Sequence, residues 1–159
     1  MRLPKLTALL LSLPLFILIS CKDDTEEIEK ENTYYGKALP MSSSQETPPF
    51  TSSATGTIDA NYSRFTKTLS YKVTFSGLSG PATAAHIHGL GEAGVMAGVL
   101  QTFPFPPFPA ATSGTYSGTL FIDGVKFTEE YLLGSRYYVN IHTAAKPAGE
   151  IRGQLILTK

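Results

Sequence analysis

Between residues 68 and 76 the chain alternates with a period of two. Leu69, Tyr71, Val73 and Phe75 fall on one side of an extended backbone, and Ser70, Lys72, Thr74 and Ser76 on the other. That is the pattern of a half-buried antiparallel strand. Gly77-Leu78-Ser79-Gly80-Pro81 supplies the turn that ends it. Shorter strand-like runs cover residues 35–39, 54–60, 83–89, 99–100 and 116–122. A closing pair, 136–143 and 150–157, is separated by Ala144-Ala145-Lys146-Pro147-Ala148-Gly149 and predicts a hairpin. Helical periodicity is confined to residues 128–133, about two turns at most. About seven or eight short strands at this spacing predict an all-β fold: an antiparallel β-sandwich, Greek-key/immunoglobulin-like or superoxide-dismutase-like, with one short helix.

Thr102-Phe103-Pro104-Phe105-Pro106-Pro107-Phe108-Pro109 breaks this regularity. Its four prolines remove backbone donors, so it is not a central strand. Phe103, Phe105 and Phe108 either pack onto the sandwich or face outward as a loop that recognises a partner. Packing is the favoured reading, because exposed aromatic patches are uncommon on monomers.

The first twenty residues follow a different pattern. Arg2 and Lys5 precede an apolar run from Leu6 to Ile19, which Pro14 interrupts and Leu18-Ile19-Ser20-Cys21 closes. The run is too short for a permanent membrane span and reads as a signal peptide. Its end resembles a bacterial lipobox, in which cleavage before Cys21 leaves that cysteine to carry lipid. Cys21 is the only cysteine, so no disulfide forms within the chain. Residues 22–33 hold six acidic and two basic side chains, a net of −4, and read as a solvated tether. The division expected is therefore a leader over 1–20, a lipidated cysteine and tether over 21–33, and one domain over 34–159. The expected location is the bacterial cell envelope, with a lipid anchor in the outer membrane and surface exposure favoured by the acidic run.

The domain carries nine basic and seven acidic residues, with no basic cluster, which gives a nucleic-acid partner no electrostatic support. No Gly-x-Ser-x-Gly elbow or phosphate-binding glycine loop is present. Glu129 and Glu130, adjacent on the short helix, diverge and read as solvated.

Candidate chemistry lies in the three histidines. His86 and His88 are one residue apart in a strand and so project to one face; His142 lies in the strand over 136–143. In the closing hairpin, pairing Asn140 with Arg152 would put Tyr138, Asn140, His142, Glu150, Arg152 and Gln154 on one face, although a one-residue slip would reverse this. The set His86, His88 and His142, with Glu150 or Glu46 nearby, suits zinc or copper. The same imidazoles also suit a hydrogen-bonded structural role, and both readings stand at this point. Gly149 is expected to close the hairpin turn. Gly153 is expected at a bulge or a close backbone approach.

Three segments together resemble a known family. They are Ser44-Gln45-Glu46-Thr47-Pro48-Pro49, Ala85-His86-Ile87-His88-Gly89, and Tyr138-Val139-Asn140-Ile141-His142-Thr143 with Gly149-Glu150-Ile151-Arg152-Gly153-Gln154-Leu155. Their order and spacing resemble the CHRD domain, the module repeated in chordin and found singly in many bacterial secreted proteins. The resemblance implies an all-β extracellular module, with Pro48, Pro49, Asn140, Arg152 and Gln154 among its motif residues. The expected role is non-enzymatic binding or scaffolding of an unidentified protein or glycan. The alternative is a metal-binding or metal-dependent redox protein. The His-x-His strand is also similar to that of copper–zinc superoxide dismutase, but no further block of that pattern occurs.

Overall fold

The computed structural model describes Glu27 and residues 30–159; the leader, Cys21 and most of the acidic tether lie outside the described residues. Eight strands form the domain: β1 (Thr33–Ser42), β2 (Thr55–Ser63), β3 (Thr68–Ser76), β4 (Ala82–Gly89), β5 (Val99–Thr102), β6 (Gly114–Phe121), β7 (Tyr137–Thr143) and β8 (Ile151–Gln154). A five-residue helix, α1 (Glu129–Leu133), precedes β7. The all-β antiparallel expectation holds, with one refinement. The strands form a single curled sheet in the order β5-β4-β7-β8-β1-β2-β3-β6 rather than two separate sheets. Its halves meet where β1 pairs with β8 through Ser42 and Arg152.

The alternation of β3 is realised as read: Leu69, Tyr71, Val73 and Phe75 are buried, while the residues between them are not. They join Ile58, Ile87, Val139, Ile141 and Ile151 in one core drawn from both halves. Gly153 lies where the halves come closest: a Cβ there would sit 2.6 Å from Met41 Cγ and 2.9 Å from the Pro40 carbonyl. A close approach, the second of the two roles expected of it, explains the glycine.

Phe103 and Phe108 are buried within this core. Phe103 stacks on Tyr71 at 5.3 Å between centroids, and Phe108 on Phe75 at 5.4 Å. Phe105 is half-buried against Phe108 at 4.8 Å. The Phe/Pro segment thus packs its rings as an aromatic lid on one edge of the core. Glu129 is not simply solvated: it accepts from Tyr62 Oη at 2.9 Å and pairs with Arg64 at 2.6 Å, tying α1 to the end of β2.

Glu150 departs from its expected position. It precedes β8, next to Gly149 at φ +130°, and donates its backbone N–H to Ile141 O, whose cross-strand partner is Ile151. Plain alternation therefore fails at this residue. Its carboxylate points away from the histidines and is fully buried. It accepts from Ser79 N at 2.8 Å, Ser79 Oγ at 2.7 Å, Thr143 Oγ1 at 2.7 Å and Ser52 Oγ at 3.2 Å. Burial pushes this carboxyl up, but the four donors outweigh it and hold it below the usual glutamate range.

Glu150→Ala should therefore lower the unfolding free energy near neutral pH by about 3 kcal/mol, because four donors lose a charged acceptor. The contribution of a depressed carboxyl is present above its unfolded pKa and is lost as pH falls through the folded one. The gap between the two proteins in urea denaturation should narrow below about pH 4. A gap under about 1 kcal/mol at pH 7 would show that the carboxylate does not hold these loops together.

Candidate metal centre

Every residue of β7 is buried. Val139 and Ile141 face the core, so Tyr138, Asn140 and His142 face the other way, beneath the loops on either side. The β4–β7 register sets His86 opposite Asn140 and His88 opposite Tyr138, and the β7–β8 register sets Asn140 opposite Arg152 and Tyr138 opposite Gln154. Three strands thus bring His86, His88, Tyr138, Asn140, His142, Arg152 and Gln154 to one face.

Two connections roof this face. From the β4–β5 connection, Glu92 O and Val95 O accept from Arg152 Nη2 and Nη1 at 2.9 Å each, and Gly91 O accepts from Gln154 Nε2 at 2.8 Å. Arg152 also donates to Gln154 Oε1 at 3.0 Å, and its Cζ lies 3.4 Å from the centroid of the Tyr138 ring. Tyr138 stacks in turn on His88, with centroids 4.8 Å apart and planes within 2°. The second connection, between β1 and β2, brings Glu46 against Arg152 and Asn140 through the 3-10 turn Ser43–Gln45. Glycine suits position 149 because its φ of +130° is strained for any other residue, and a Cβ there would also press on Glu46 Oε1.

The histidines are held in a defined way. His88 Nδ1 lies 2.9 Å from Ala97 O, and His142 Nδ1 lies 2.9 Å from Pro147 O. A carbonyl only accepts, so both rings carry their proton on Nδ1 and turn Nε2 inward. The two Nε2 atoms meet the Asn140 amide at 3.0 and 2.9 Å, and His142 Nε2 also meets His86 Nδ1 at 3.0 Å. As placed, Asn140 Oδ1 faces both Nε2 atoms, which would require two adjacent imidazolium ions. Burial and the neighbouring rings oppose that. His86 is pushed down to about 4, by burial first and then by His142 and His88; burial also leads in lowering His142. Neutral rings are satisfied when the amide is turned by half a revolution, so that Nδ2 donates to both.

The outcome is three imidazole rings whose nitrogens converge. One ligand atom from each of His86, His88 and His142 lies within 4.8 Å of the others. A tetrahedral nitrogen set around zinc has edges of about 3.4 Å, so small rotations close the site, most easily at half-buried His86.

Of the two carboxylates proposed as neighbours, Glu150 belongs to the separate network above and Glu46 lies behind Asn140. Glu46 is buried, and its Oε1 makes no hydrogen bond of good geometry among the described residues. Burial pushes its carboxyl up to about 7, against the opposing pull of Arg152, the Thr47 backbone N–H and the Asn140 amide. Sequence reasoning missed the roles of Ala97 O and Pro147 O, which carry no side-chain signature. The stacking of Tyr138 was foreshadowed by its alternation with Asn140 and His142.

The raised Glu46 carboxyl makes a pH-dependent prediction for the metal-free protein. A carboxyl whose folded pKa is raised stabilises the fold fully below its unfolded pKa, and this contribution disappears as pH rises through about 7. Glu46→Gln keeps a neutral side chain at every pH, so its stability relative to the parent should rise by up to about 3 kcal/mol between pH 4.5 and 8 in urea denaturation. A difference that stays flat across that range would mean that folding leaves the Glu46 carboxyl at its ordinary value.

Comparison with known proteins adds one positive finding. No curated protein matches the chain significantly, and neither does any solved structure. The family model for the CHRD domain matches residues 38–155, which include both roofing connections and all three histidines. With its β-sheet and these motif strands, the chain belongs to the CHRD domain family.

Proposed function

We propose that this chain is a lipid-anchored CHRD module of the bacterial cell envelope that binds a divalent transition metal, zinc or copper(II), through His86, His88 and His142. One observation carries the metal reading. The Nδ1–H groups of His88 and His142 are committed to the Ala97 and Pro147 carbonyls, which turns both Nε2 atoms toward the Asn140 amide and sets that of His142 3.0 Å from His86 Nδ1. Outer hydrogen bonds of this kind fix the tautomer and orientation of imidazole ligands in metal sites. Imidazole nitrogen suits zinc and copper better than the hard cations that prefer oxygen. The role is binding, within the non-enzymatic module that the family suggests. The lipobox-like Leu18-Ile19-Ser20-Cys21 supports the anchor, and the acidic run after it supports exposure outside the outer membrane.

Purified protein incubated with zinc or copper(II) at pH 7 and then desalted should retain about one equivalent of metal. His86→Ala/His88→Ala should reduce affinity by more than about 100-fold while leaving the strand circular-dichroism signal unchanged. Less than about a tenth of an equivalent on the parent protein would eliminate the metal reading and leave the imidazoles as structural hydrogen-bonding groups.

The anchor has its own test. On detergent phase separation of cells expressing the full chain, the protein should partition with membrane lipoproteins, and Cys21→Ser should move it to the aqueous phase. Recovery of both forms in the aqueous phase would refute lipidation.

A further inference from the structure

The fold leaves three apolar side chains exposed on adjoining loops at one end of the sheet. Phe65, in the β2–β3 turn, is 77% exposed; Phe121, the last residue of β6, 60%; and Val125, in the following loop, 88%. Phe121 pairs with Thr68 at the exit of the Phe65 turn, and Ile122 N donates to Lys67 O at 2.8 Å.

These loops have internal structure. Asp123 Oδ1 accepts from the backbone N–H groups of Val125, Lys126 and Phe127 at 2.8, 2.8 and 2.9 Å. In the other turn, Thr68 Oγ1 donates to Thr66 O at 3.1 Å. The side chains are therefore held outward by hydrogen-bonded turns. Lys67 and Lys126 lie on the same two loops. Of the acids here, Asp123 is engaged with three amides and Glu129 with Arg64, while Glu130 and Glu31 are exposed.

The path of the chain identifies what this tip meets. β1 begins with Thr33 paired to Ser63, and Arg64 N donates to Asn32 O at 2.9 Å, so the chain enters the domain beside Phe65. Eleven residues, 22–32, separate that point from Cys21. Even fully extended, eleven residues span no more than about 36 Å. A lipid on Cys21 would therefore hold this end of the domain nearest the bilayer, at high effective concentration. Aromatic and aliphatic side chains flanked by lysines match the membrane–water interface, with rings among the acyl ends and ammonium groups at the headgroups.

We propose that the tip formed by Phe65, Phe121 and Val125 is a membrane-docking surface that seats on the phospholipid bilayer holding the chain's own anchor. This rests on the lipid-anchor reading of Cys21. Docking would fix the orientation of the domain relative to the bilayer.

The chain contains no tryptophan, so Phe65→Trp installs a single reporter. The full lipidated variant would be reconstituted into phosphatidylethanolamine/phosphatidylglycerol vesicles, with and without bromine on the acyl chains. Docking should give a blue-shifted emission quenched at least about twofold by the brominated lipid, while Ala148→Trp, in the β7–β8 connection, stays unquenched. Flotation with the vesicles combined with solution-like, unquenched emission of Phe65→Trp would overturn docking while leaving the anchor standing. Failure to float, with an unmodified Cys21 by mass, would overturn both readings. A blue shift without bromine quenching that grows with the protein-to-lipid ratio would assign the patch to a second copy of the chain and overturn the lipid assignment.

Discussion

A strand buried on both faces needs a full set of partners on each, and β7 imposes that condition on the molecule. Its core face is met by aliphatic side chains from both halves of the sheet. Its other face carries Tyr138, Asn140 and His142, whose polar atoms cannot be left dry without a cost on the order of 1–3 kcal/mol each. The polar face therefore requires roofing loops that bring backbone carbonyls. Arg152 and Gln154 tie the β4–β5 connection down through Gly91, Glu92 and Val95, His88 does the same through Ala97, and His142 holds the β7–β8 connection through Pro147. The buried guanidinium has no carboxylate hydrogen-bonded to it among the described residues; carbonyls, Gln154 and the Tyr138 π face take that place. This arrangement meets the donors of the group without assembling a second buried charge.

The same condition links the fold to the candidate site. The carbonyls that satisfy β4 and β7 are those that fix the imidazole tautomers, so a structural hydrogen-bond network and a ligand set are one object in this protein. The two roles predict different behaviour at Nε2. A purely structural network needs those lone pairs only for the Asn140 amide, whereas a metal would take the position that the amide proton fills. The coupling between His86 Nδ1 and His142 Nε2 at 3.0 Å is the point at which a proton and a metal would compete.

Much of this was legible in the chain. Period-two alternation identified β3 and its buried side, because that strand has one wet and one dry face. His-x-His placed two imidazoles together, and the Asn140–Arg152 register followed from putting like residues on like faces. What stayed hidden shares a cause. Glu150 departs from alternation because the chain is irregular at Gly149, and a parity rule holds only inside an extended strand. Packing is the favoured reading for Phe103 and Phe108, but their segment has no strand periodicity, so the rings they meet, Tyr71 and Phe75, distant in sequence, were not legible. The joining of the two halves into one sheet rests on the pair Ser42 with Arg152 and on the bridge between Tyr35 and Thr158 beyond β8, which no local pattern announces.

Glu46 and Glu150 show how little residue type decides by itself. Both are buried glutamates at the ends of connections that face the closing hairpin, and burial alone would push both upward. Glu150 meets two serines, a threonine and a backbone N–H, and is held below the ordinary range. Glu46 lies closer to a full positive charge, yet it is pushed up to about 7. Arg152 does not donate to it: those N–H groups go to Glu92 O, Val95 O and Gln154. A cation whose donors are already committed lowers a buried carboxyl only through its field, and the field does not offset desolvation. The same roof that satisfies β7 by engaging Arg152 thus leaves Glu46 short of donors. A protonated Glu46 can also donate to the oxygen of an Asn140 amide turned toward the histidines. Roofing of the polar face, the raised carboxyl of Glu46 and the inward Nε2 atoms of His88 and His142 are then linked through one hydrogen-bond pattern.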